Sequence, residues 1–279
     1  MRLIDLEHLG RARVIGCWQV GEVLVDPGPS SCLPRLLSEL GDDRPRALLL
    51  THIHLDHAGA SGSLVRRWPG LEVYVHEVGA PHLSDPEKLL KSAKRLYGEE
   101  MDRLWGEFLA VPESQLRVLH GGEKLEIGGS NFEVLHTPGH ASHHVSYLHD
   151  GTAFVGDTGG VRITSGGPAI PPTPPPDIDL EAWKRSIDAI ARWQPRRLAM
   201  THFGAGDDVE GQLAEVARGL DERAQRVREQ DLQHFVAEVR DEIERQAEPG
   251  TSPAYEQAAP AEQMYAGLER YWRKATVKR

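Results

Sequence analysis

The 279-residue chain has few cysteines and no long apolar run. Its two cysteines, Cys17 and Cys32, do not form a close-spaced pair, so buried thiols are a simpler interpretation than a disulfide or a cysteine metal site. No stretch approaches the roughly 20 apolar residues of a membrane span, and the first residues lack the apolar region of a secretory signal. We therefore expect a cytoplasmic protein without a membrane partner.

The chain also lacks an excess of basic residues. Its net charge is −10, from 42 acidic and 32 basic side chains, whereas a nucleic-acid surface usually needs a basic face. We therefore expect no nucleic-acid partner. A hydrophobic content of 39% is typical of a globular protein, and the length allows one large domain or one domain with an appendage.

Strand and helix patterns alternate along the first part of the chain, which predicts an α/β fold with helices packed on sheet. Strands are predicted within 12–25, at 47–50, 71–75, 116–119, 124–127, 132–135, 145–148, 152–155 and 197–200. Helices are predicted at 31–40, at 61–68 and at 180–193, the last one capped by Asp179.

Two helical regions interrupt or follow this alternation. Residues 77–117 form a helical insertion, which is either a lid or pocket wall, or plain packing on the outer face. From residue 208 the composition changes to a long amphipathic helical pattern over 209–246 and a last helix over 258–274. This extension has no obvious ligand set, and its role is packing, dimerisation or closure of a pocket.

A dense group of polar side chains follows the apolar strand at 47–50. His52, His54, Asp56 and His57 lie within six residues. Neutral imidazoles and a carboxylate are the ligands that borderline divalent metals such as zinc favour. The alternative is a polar loop of solvated side chains, but the end of a buried strand is a poor place for such a loop.

Three more predicted strands are followed by residues of the same kind. His140 follows the turn Thr137-Pro138-Gly139, and Asp157 and His202 follow Gly156 and Thr201. Loops at strand ends are where α/β folds place their chemistry, so this recurrence predicts one metal site. Asp26, at the end of an earlier strand, is either a partner that orients a metal-bound histidine or a turn-forming residue before Pro27.

The motif His-x-His-x-Asp-His, followed by the later histidine, Gly-Asp and Thr-His, resembles the metallo-β-lactamase-fold hydrolase superfamily. The resemblance covers about residues 12–205 and implies a four-layer αββα sandwich. It implies a catalytic domain over 1–207, with the helical insertion at about 77–117, and a helical extension over 208–279.

The resemblance also implies a ligand set for two divalent metal ions, with zinc as the first choice and iron or manganese as alternatives. The implied ligands of the first ion are His52, His54 and His140. Those of the second ion are Asp56, His57 and His202, and Asp157 bridges the two ions.

A hydroxide that bridges two such metals would cleave the substrate without a protein nucleophile, in keeping with the absence of a Ser/His/Asp signature. Asp56 could also orient or deprotonate the attacking water. His144 matches a further histidine of the family motif and is expected to orient the site or pack beneath it, with His143 as a rival. His76 and His82 flank the insertion and are either packed or solvated side chains, or contacts to the substrate.

Within the superfamily, the ligand set is shared by glyoxalase II and the lactonases, so hydrolysis of an ester, thioester or lactone is the preferred function. The chain lacks glyoxalase II's C-terminal Asn-Pro-aromatic-Leu-Arg run, which leaves the substrate open beyond a small molecule. The alternatives are a phosphodiesterase of the same fold and a non-catalytic metal-binding or interaction protein. The helical extension is a candidate surface for a homodimer.

Overall fold

The computed structural model describes residues 1–277, which divide into two units. The first unit comprises Met1–His136 and Val145–Asp150. The second unit comprises Thr137–His144 and the chain from Gly151 onward. The loop that carries His140 therefore belongs to the second unit, although the strands on either side of it belong to the first.

The first unit contains a six-stranded sheet whose strands follow their order along the chain. Its strands are β1 (Arg2–Asp5), β2 (Gly16–Val20), β3 (Val23–Val25), β4 (Ala47–Leu49), β5 (Glu72–His76) and β6 (Leu116–Leu119). Strands β1 to β3 pair antiparallel, and β3 to β6 pair in parallel. Because parallel strands end at the same edge of a sheet, Asp26 after β3 and His52 after β4 lie side by side.

The centre of this sheet is apolar on both faces. All three residues of β3 and all three of β4 are buried. Continuous apolar runs of this kind are typical of parallel strands that are covered on both sides. The burial fixes the point at which each strand ends and thus the place of the polar residues that follow.

Helices and three more strands complete the first unit. The helices are α1 (Leu33–Leu40), α2 (Leu55–Ala58), α3 (Ser61–Arg67), α4 (Ala80–Ser84), α5 (Glu87–Tyr97) and α6 (Met101–Trp105). Strands β7 (Lys124–Ile127), β8 (Ser130–His136) and β9 (Val145–His149) pair antiparallel. Helices α4 to α6 lie within 77–117, the segment that was predicted to be a helical insertion.

The second unit combines three strands with the helices of the C-terminal region. The strands are β10 (Thr152–Phe154), β11 (Arg197–Met200) and β12 (Gly204–Gly206). The helices are α7 (Leu180–Arg192), α8 (Val209–Glu229), α9 (Leu232–Gln246), α10 (Ser252–Ala258) and α11 (Ala261–Val277). Strand β11 pairs in parallel with β10 and antiparallel with β12. Asp179 caps α7 as predicted, since its side chain accepts a hydrogen bond from the Ala182 amide at 2.9 Å.

Several details differ from the sequence expectations, among them helices α2 and α10, which were not expected. Strands β1 and β12 were not expected, and Asp157 lies in a 3₁₀ turn over Gly156–Gly159, two residues after β10. The amphipathic pattern over 209–246 forms two helices, because the Asp231 side chain accepts a hydrogen bond from the His234 amide and starts α9. The domain boundary after residue 207 stays a prediction. Within residues 1–277, no helix is both long enough and apolar enough to cross a membrane.

Candidate metal centre

Four of the predicted ligands lie in the first unit, on the short segment between β4 and the end of α2. His52 and His57 are fully buried, whereas His54 and Asp56 are half-buried. The rings of His54 and His57 have their centroids 4.5 and 4.0 Å from that of His52. The donor atoms of His52 lie within 4.8 Å of those of His54 and of His57. The sequence pattern predicts this grouping, although it missed α2, whose single turn carries Asp56 and His57.

A buried carboxylate, Asp26, connects this segment to the end of β3. Its Oδ2 accepts hydrogen bonds from the His57 Nδ1 at 2.8 Å and from the Thr51 hydroxyl at 2.7 Å. Its Oδ1 accepts a third from the Thr51 amide at 2.8 Å. Of the two interpretations of Asp26, the structure supports the histidine partner. Thr51 was not singled out from the sequence, although its place directly before His52 at a strand end was a signal.

These contacts determine which nitrogen of two histidines carries the proton. A carboxylate only accepts, so His57 donates from Nδ1 and presents the lone pair of Nε2. The Thr51 hydroxyl gives its hydrogen to Asp26, so it accepts from the His52 Nδ1 at 3.1 Å. His52 therefore also presents an Nε2 lone pair. A histidine whose other nitrogen is held by a carboxylate network is the usual arrangement of a metal ligand.

The other three predicted ligands lie in the second unit. His140 is buried, and its Nδ1 donates to the Pro172 carbonyl at 2.9 Å, so its Nε2 again presents a lone pair. The Trp183 ring meets the His140 ring edge-on, with centroids 5.3 Å apart. Pro172 and Trp183 were not recognised from the sequence, because they lie 32 or more positions beyond the motif.

Asp157 lies between two histidines, each facing a different oxygen of its carboxylate. The His140 Nε2 is 3.2 Å from Oδ2, and the His202 Nε2 is 3.6 Å from Oδ1. The Asp157 side chain is only 5% exposed. The Nε2 lone pair of His140 faces a carboxylate oxygen of Asp157. Two electron-rich atoms repel each other at this distance unless a positively charged group lies between or beside them. Divalent metal ions fit this donor set of imidazoles and a carboxylate.

His144 was expected to orient the site or pack beneath it. Its ring is fully buried, and its Nδ1 lies 2.8 Å from the Thr137 hydroxyl and 3.2 Å from the Thr158 hydroxyl. The Thr158 hydroxyl in turn donates to the Thr137 carbonyl at 3.3 Å. His144 therefore joins the turn before His140 to the 3₁₀ turn that carries Asp157. His143, the other candidate for this orienting role, is also buried.

For His76, the structure favours the packed alternative over a contact to substrate. Its ring stacks on that of His136 with centroids 4.1 Å apart, and its side chain is buried. Its Nδ1 accepts from the Val78 amide at 3.3 Å. Burial, followed by the neighbouring His136, lowers the pKa of His76 from 6.5 to about 4. His82 lies half-buried in α4.

Comparison with known proteins gives a family for this chain. The model of the metallo-beta-lactamase superfamily matches residues 21–202, which is more than half of the chain. A metallo-beta-lactamase fold-containing protein of Sulfurisphaera tokodaii is 28% identical over 191 residues, covering 67% of this chain and 70% of its own length. A hydroxyacylglutathione hydrolase of Yersinia enterocolitica is 31% identical over 151 residues, covering 53% and 47%. The chain thus spans less than half of the length of the hydroxyacylglutathione hydrolase.

Solved structures show the same fold. An archaeal metallo-beta-lactamase superfamily protein from Sulfolobus tokodaii has a TM-score of 0.66 at 23% identity and covers 92% of this chain and 93% of its own. A metallo-beta-lactamase family protein from Thermus thermophilus has a TM-score of 0.62 at 26% identity, with coverages of 94% and 88%. The predicted fold class is confirmed, with two sheets, flanking helices and a helical C-terminal region. The chain belongs to the metallo-β-lactamase superfamily.

Proposed function

We propose that this protein is a metal-dependent hydrolase that cleaves an ester, thioester or lactone bond with two divalent metal ions. The proposed ligands of the first ion are His52, His54 and His140. The proposed ligands of the second ion are Asp56, His57 and His202, and Asp157 is shared by both. Membership of the superfamily, the hydrolases among its relatives and the His/Asp donors support this function.

The observation that carries the proposal is the place of Asp157 between His140 and His202. A carboxylate with an imidazole at each oxygen can bind one ion through each oxygen. The imidazoles of His52, His57 and His140 all present Nε2 because their Nδ1 atoms are engaged. Zinc is the proposed ion, since imidazole and carboxylate suit it, and iron or manganese would use the same donors.

Two bound ions would polarise the substrate and lower the pKa of water, so that hydroxide forms near neutral pH. The protein side chains have separate tasks. Asp56 is 22% exposed, unlike the buried His57 beside it, so its carboxylate is in reach of water and can accept a hydrogen bond from it. Asp26 holds His57 and Thr51 in place and has no exposed surface with which to touch a substrate.

The substrate class rests on the relatives rather than on pocket shape. The named activity of several of them is hydrolysis of a hydroxyacylglutathione. We propose a small-molecule acyl substrate for this chain.

Metal analysis combined with a substrate panel tests the proposal. Purified protein should contain about two divalent ions per chain, and it should hydrolyse at least one of a set of carboxylic esters, thioesters and lactones. The panel should include phosphodiesters, and turnover of these alone would favour the phosphodiesterase alternative. Protein that holds two ions yet turns over none of these compounds would contradict a hydrolase function and leave a metal-binding protein.

Replacing His140 tests the ligand assignment directly. His140→Ala should lower metal content by about one ion and reduce hydrolysis by about 100-fold or more, since a ligand and its ordering of Asp157 are both lost. The matched control is His234→Ala, because the His234 side chain is 77% exposed on α9. Metal content should be measured by elemental analysis. Unchanged stoichiometry in His140→Ala would show that His140 is not a ligand.

A further inference from the structure

Arg162 lies in the second unit and pairs through its backbone with the residues around His202. The Arg162 amide donates to the His202 carbonyl at 2.7 Å, and the Arg162 carbonyl accepts from the Phe203 amide at 3.3 Å. Both bonds engage the peptide that joins His202 to Phe203. The backbone of Arg162 is therefore a direct support of the backbone that carries the His202 imidazole.

The side chain of Arg162 is held by a glutamate of the helical extension. Its guanidinium forms an ion pair with Oε2 of Glu215 on α8, and the two side chains are only 14% and 25% exposed. The Oε1 of Glu215 accepts from the Ala169 amide at 2.9 Å. Because Val161 and Ile170 form an antiparallel bridge, Glu215 holds both strands of the loop between them.

Helix α8 also contacts the start of this loop, next to Asp157. The buried Gln212 side chain donates to the Gly159 carbonyl at 2.7 Å. Gly160 has a φ of +78°, and a Cβ there would lie 2.7 Å from a methyl group of Val216. One face of α8 therefore supports the segment that begins at Asp157 and passes Arg162.

We propose that Arg162 and Glu215 are positioning residues that fix His202 for metal binding. The inference rests on the proposed function, because it assigns a supporting pair to one proposed ligand. An imidazole that shifts by a fraction of an ångström loses affinity for its ion, and residues that hold a ligand typically change affinity by about 10- to 100-fold. The helical extension, which has no ligand of its own among the proposed set, would thus determine the affinity of the second ion.

Glu215→Gln is the sharpest variant with which to test this. Glutamine keeps an acceptor for the Ala169 amide and the volume of the side chain, but removes the charge that pairs with Arg162. The control is Glu222→Gln on the same helix, where the ion pair with Arg218 is 3.7 Å long and 47–62% exposed. Zinc titration of the metal-free 279-residue chain should resolve two binding steps in the wild type.

Glu215→Gln should weaken one of the two steps by about tenfold and leave the other within about twofold. Glu222→Gln should change neither step. Arg162→Lys should retain more of the affinity than Arg162→Gln, since it keeps the charge. Equal weakening of both steps in Glu215→Gln, or no weakening, would overturn the inference. Wild-type protein that binds no ion would overturn the proposed function together with it.

A second measurement does not depend on a metal. In the metal-free chain, the imidazole NMR signals of His202, assigned with His202→Gln, should shift or broaden in Glu215→Gln and remain in place in Glu222→Gln. A purely structural role would alter stability without singling out His202. Unchanged His202 signals in Glu215→Gln would therefore refute the positioning role even if the wild type binds two ions.

Discussion

The two units hold their proposed metal ligands in opposite ways. In the first unit four ligands lie within six residues, and one buried carboxylate, Asp26, holds His57 directly and His52 through Thr51. In the second unit His140, Asp157 and His202 come from three separate segments. Each segment has its own support: Pro172 for His140, Thr158 and Gln212 near Asp157, and Arg162 for His202.

The two sets of proposed ligands should therefore respond differently to substitution. The first set depends on one side chain, so a single substitution should affect several ligands at once. The second set depends on backbone positions, so a substitution should affect the ligand nearest to it.

Asp26→Asn should have the largest effect, because it removes the charge on which the first set depends. Asn also tolerates the positive φ of 51° at this position, so the backbone is spared. The Asp26 carboxylate accepts three hydrogen bonds, from the Thr51 amide, the Thr51 hydroxyl and the His57 Nδ1. The side chain of Asn has a single acceptor oxygen and cannot accept all three. We expect a loss of about 3 kcal/mol in the free energy of unfolding and a fall of about 10- to 100-fold in metal affinity.

Urea unfolding and zinc titration of the same preparation measure both quantities. Because Asp26 supports a proposed ligand of each ion, the affinity for both ions should fall. A loss restricted to the second ion would show that His52 does not depend on Asp26 through Thr51, and a loss restricted to the first ion would show that His57 does not depend on Asp26.

Gly139→Ala should have the next largest effect, in the second unit. Gly139 has a φ of +141°, and a Cβ there would lie 2.3 Å from backbone and side-chain atoms of Trp183. The turn before His140 would have to move away from α7, at a cost of about 2–3 kcal/mol. The affinity for the ion bound by His140 should fall more than that for the other ion.

The control for this substitution is Gly122→Ala. Gly122 also has a positive φ, of +102°, but a Cβ there would meet no atom within 4 Å. Gly122→Ala therefore measures only the destabilisation that comes from a side chain at positive φ. Thermal unfolding of both variants separates this contribution from that of the contact with Trp183. Equal destabilisation by the two substitutions would show that the contact with Trp183 is unimportant.

His76 should show the smallest effect, because it is a buried histidine outside the proposed ligand set. Since its pKa falls from 6.5 to about 4 on folding, the unfolded chain takes up a proton first as the pH drops. Stability is therefore lost as the pH falls from 6.5 towards 4. Between pH 7 and pH 5 this residue should account for about 2 kcal/mol of the loss.

Replacing His76 by Gln should remove that part of the pH dependence, and the exposed His234→Gln should leave it in place. The measurement is the free energy of unfolding of metal-free protein in urea at several pH values. An identical pH slope in wild type and His76→Gln would contradict a buried, neutral His76.

Much of the fold follows from patterns that are local in sequence. The strands at 116–119, 124–127 and 197–200 have the predicted bounds, because each is a short apolar or alternating run between turn residues. Strand β12 was missed because Gly204-Ala205-Gly206 has no side-chain pattern, and its pairing with β11 comes from the tertiary structure. Helix α2 was missed because four residues are too few to show a helical period.

The same distinction applies to the candidate site. The proposed ligands could be recognised because they follow strands and because their order resembles a family. Of their supports, only Asp26 and His144 were candidates from the sequence, because Asp26 lies at the end of a predicted strand and His144 matches the family motif, and the contacts that they make were not predicted. Thr51 and Asp26 are 25 positions apart, and Arg162 and Glu215 are 53 positions apart, so that only the folded chain brings them together.

The support of the Asp157 loop by α8 has a consequence for the order of events during synthesis. The amino-terminal part of a chain leaves the ribosome first and can begin to fold there. Two partners of Asp26, Thr51 and His57, are both present once the chain has grown 31 positions beyond Asp26. The loop after Asp157 gains its contacts with α8 only after Gln212 and Glu215 have been synthesised. These two residues lie 53 positions beyond their partners, Gly159 and Arg162. On a growing chain the first set of ligands is therefore complete before the second, and an ion taken up at that stage meets the first set alone.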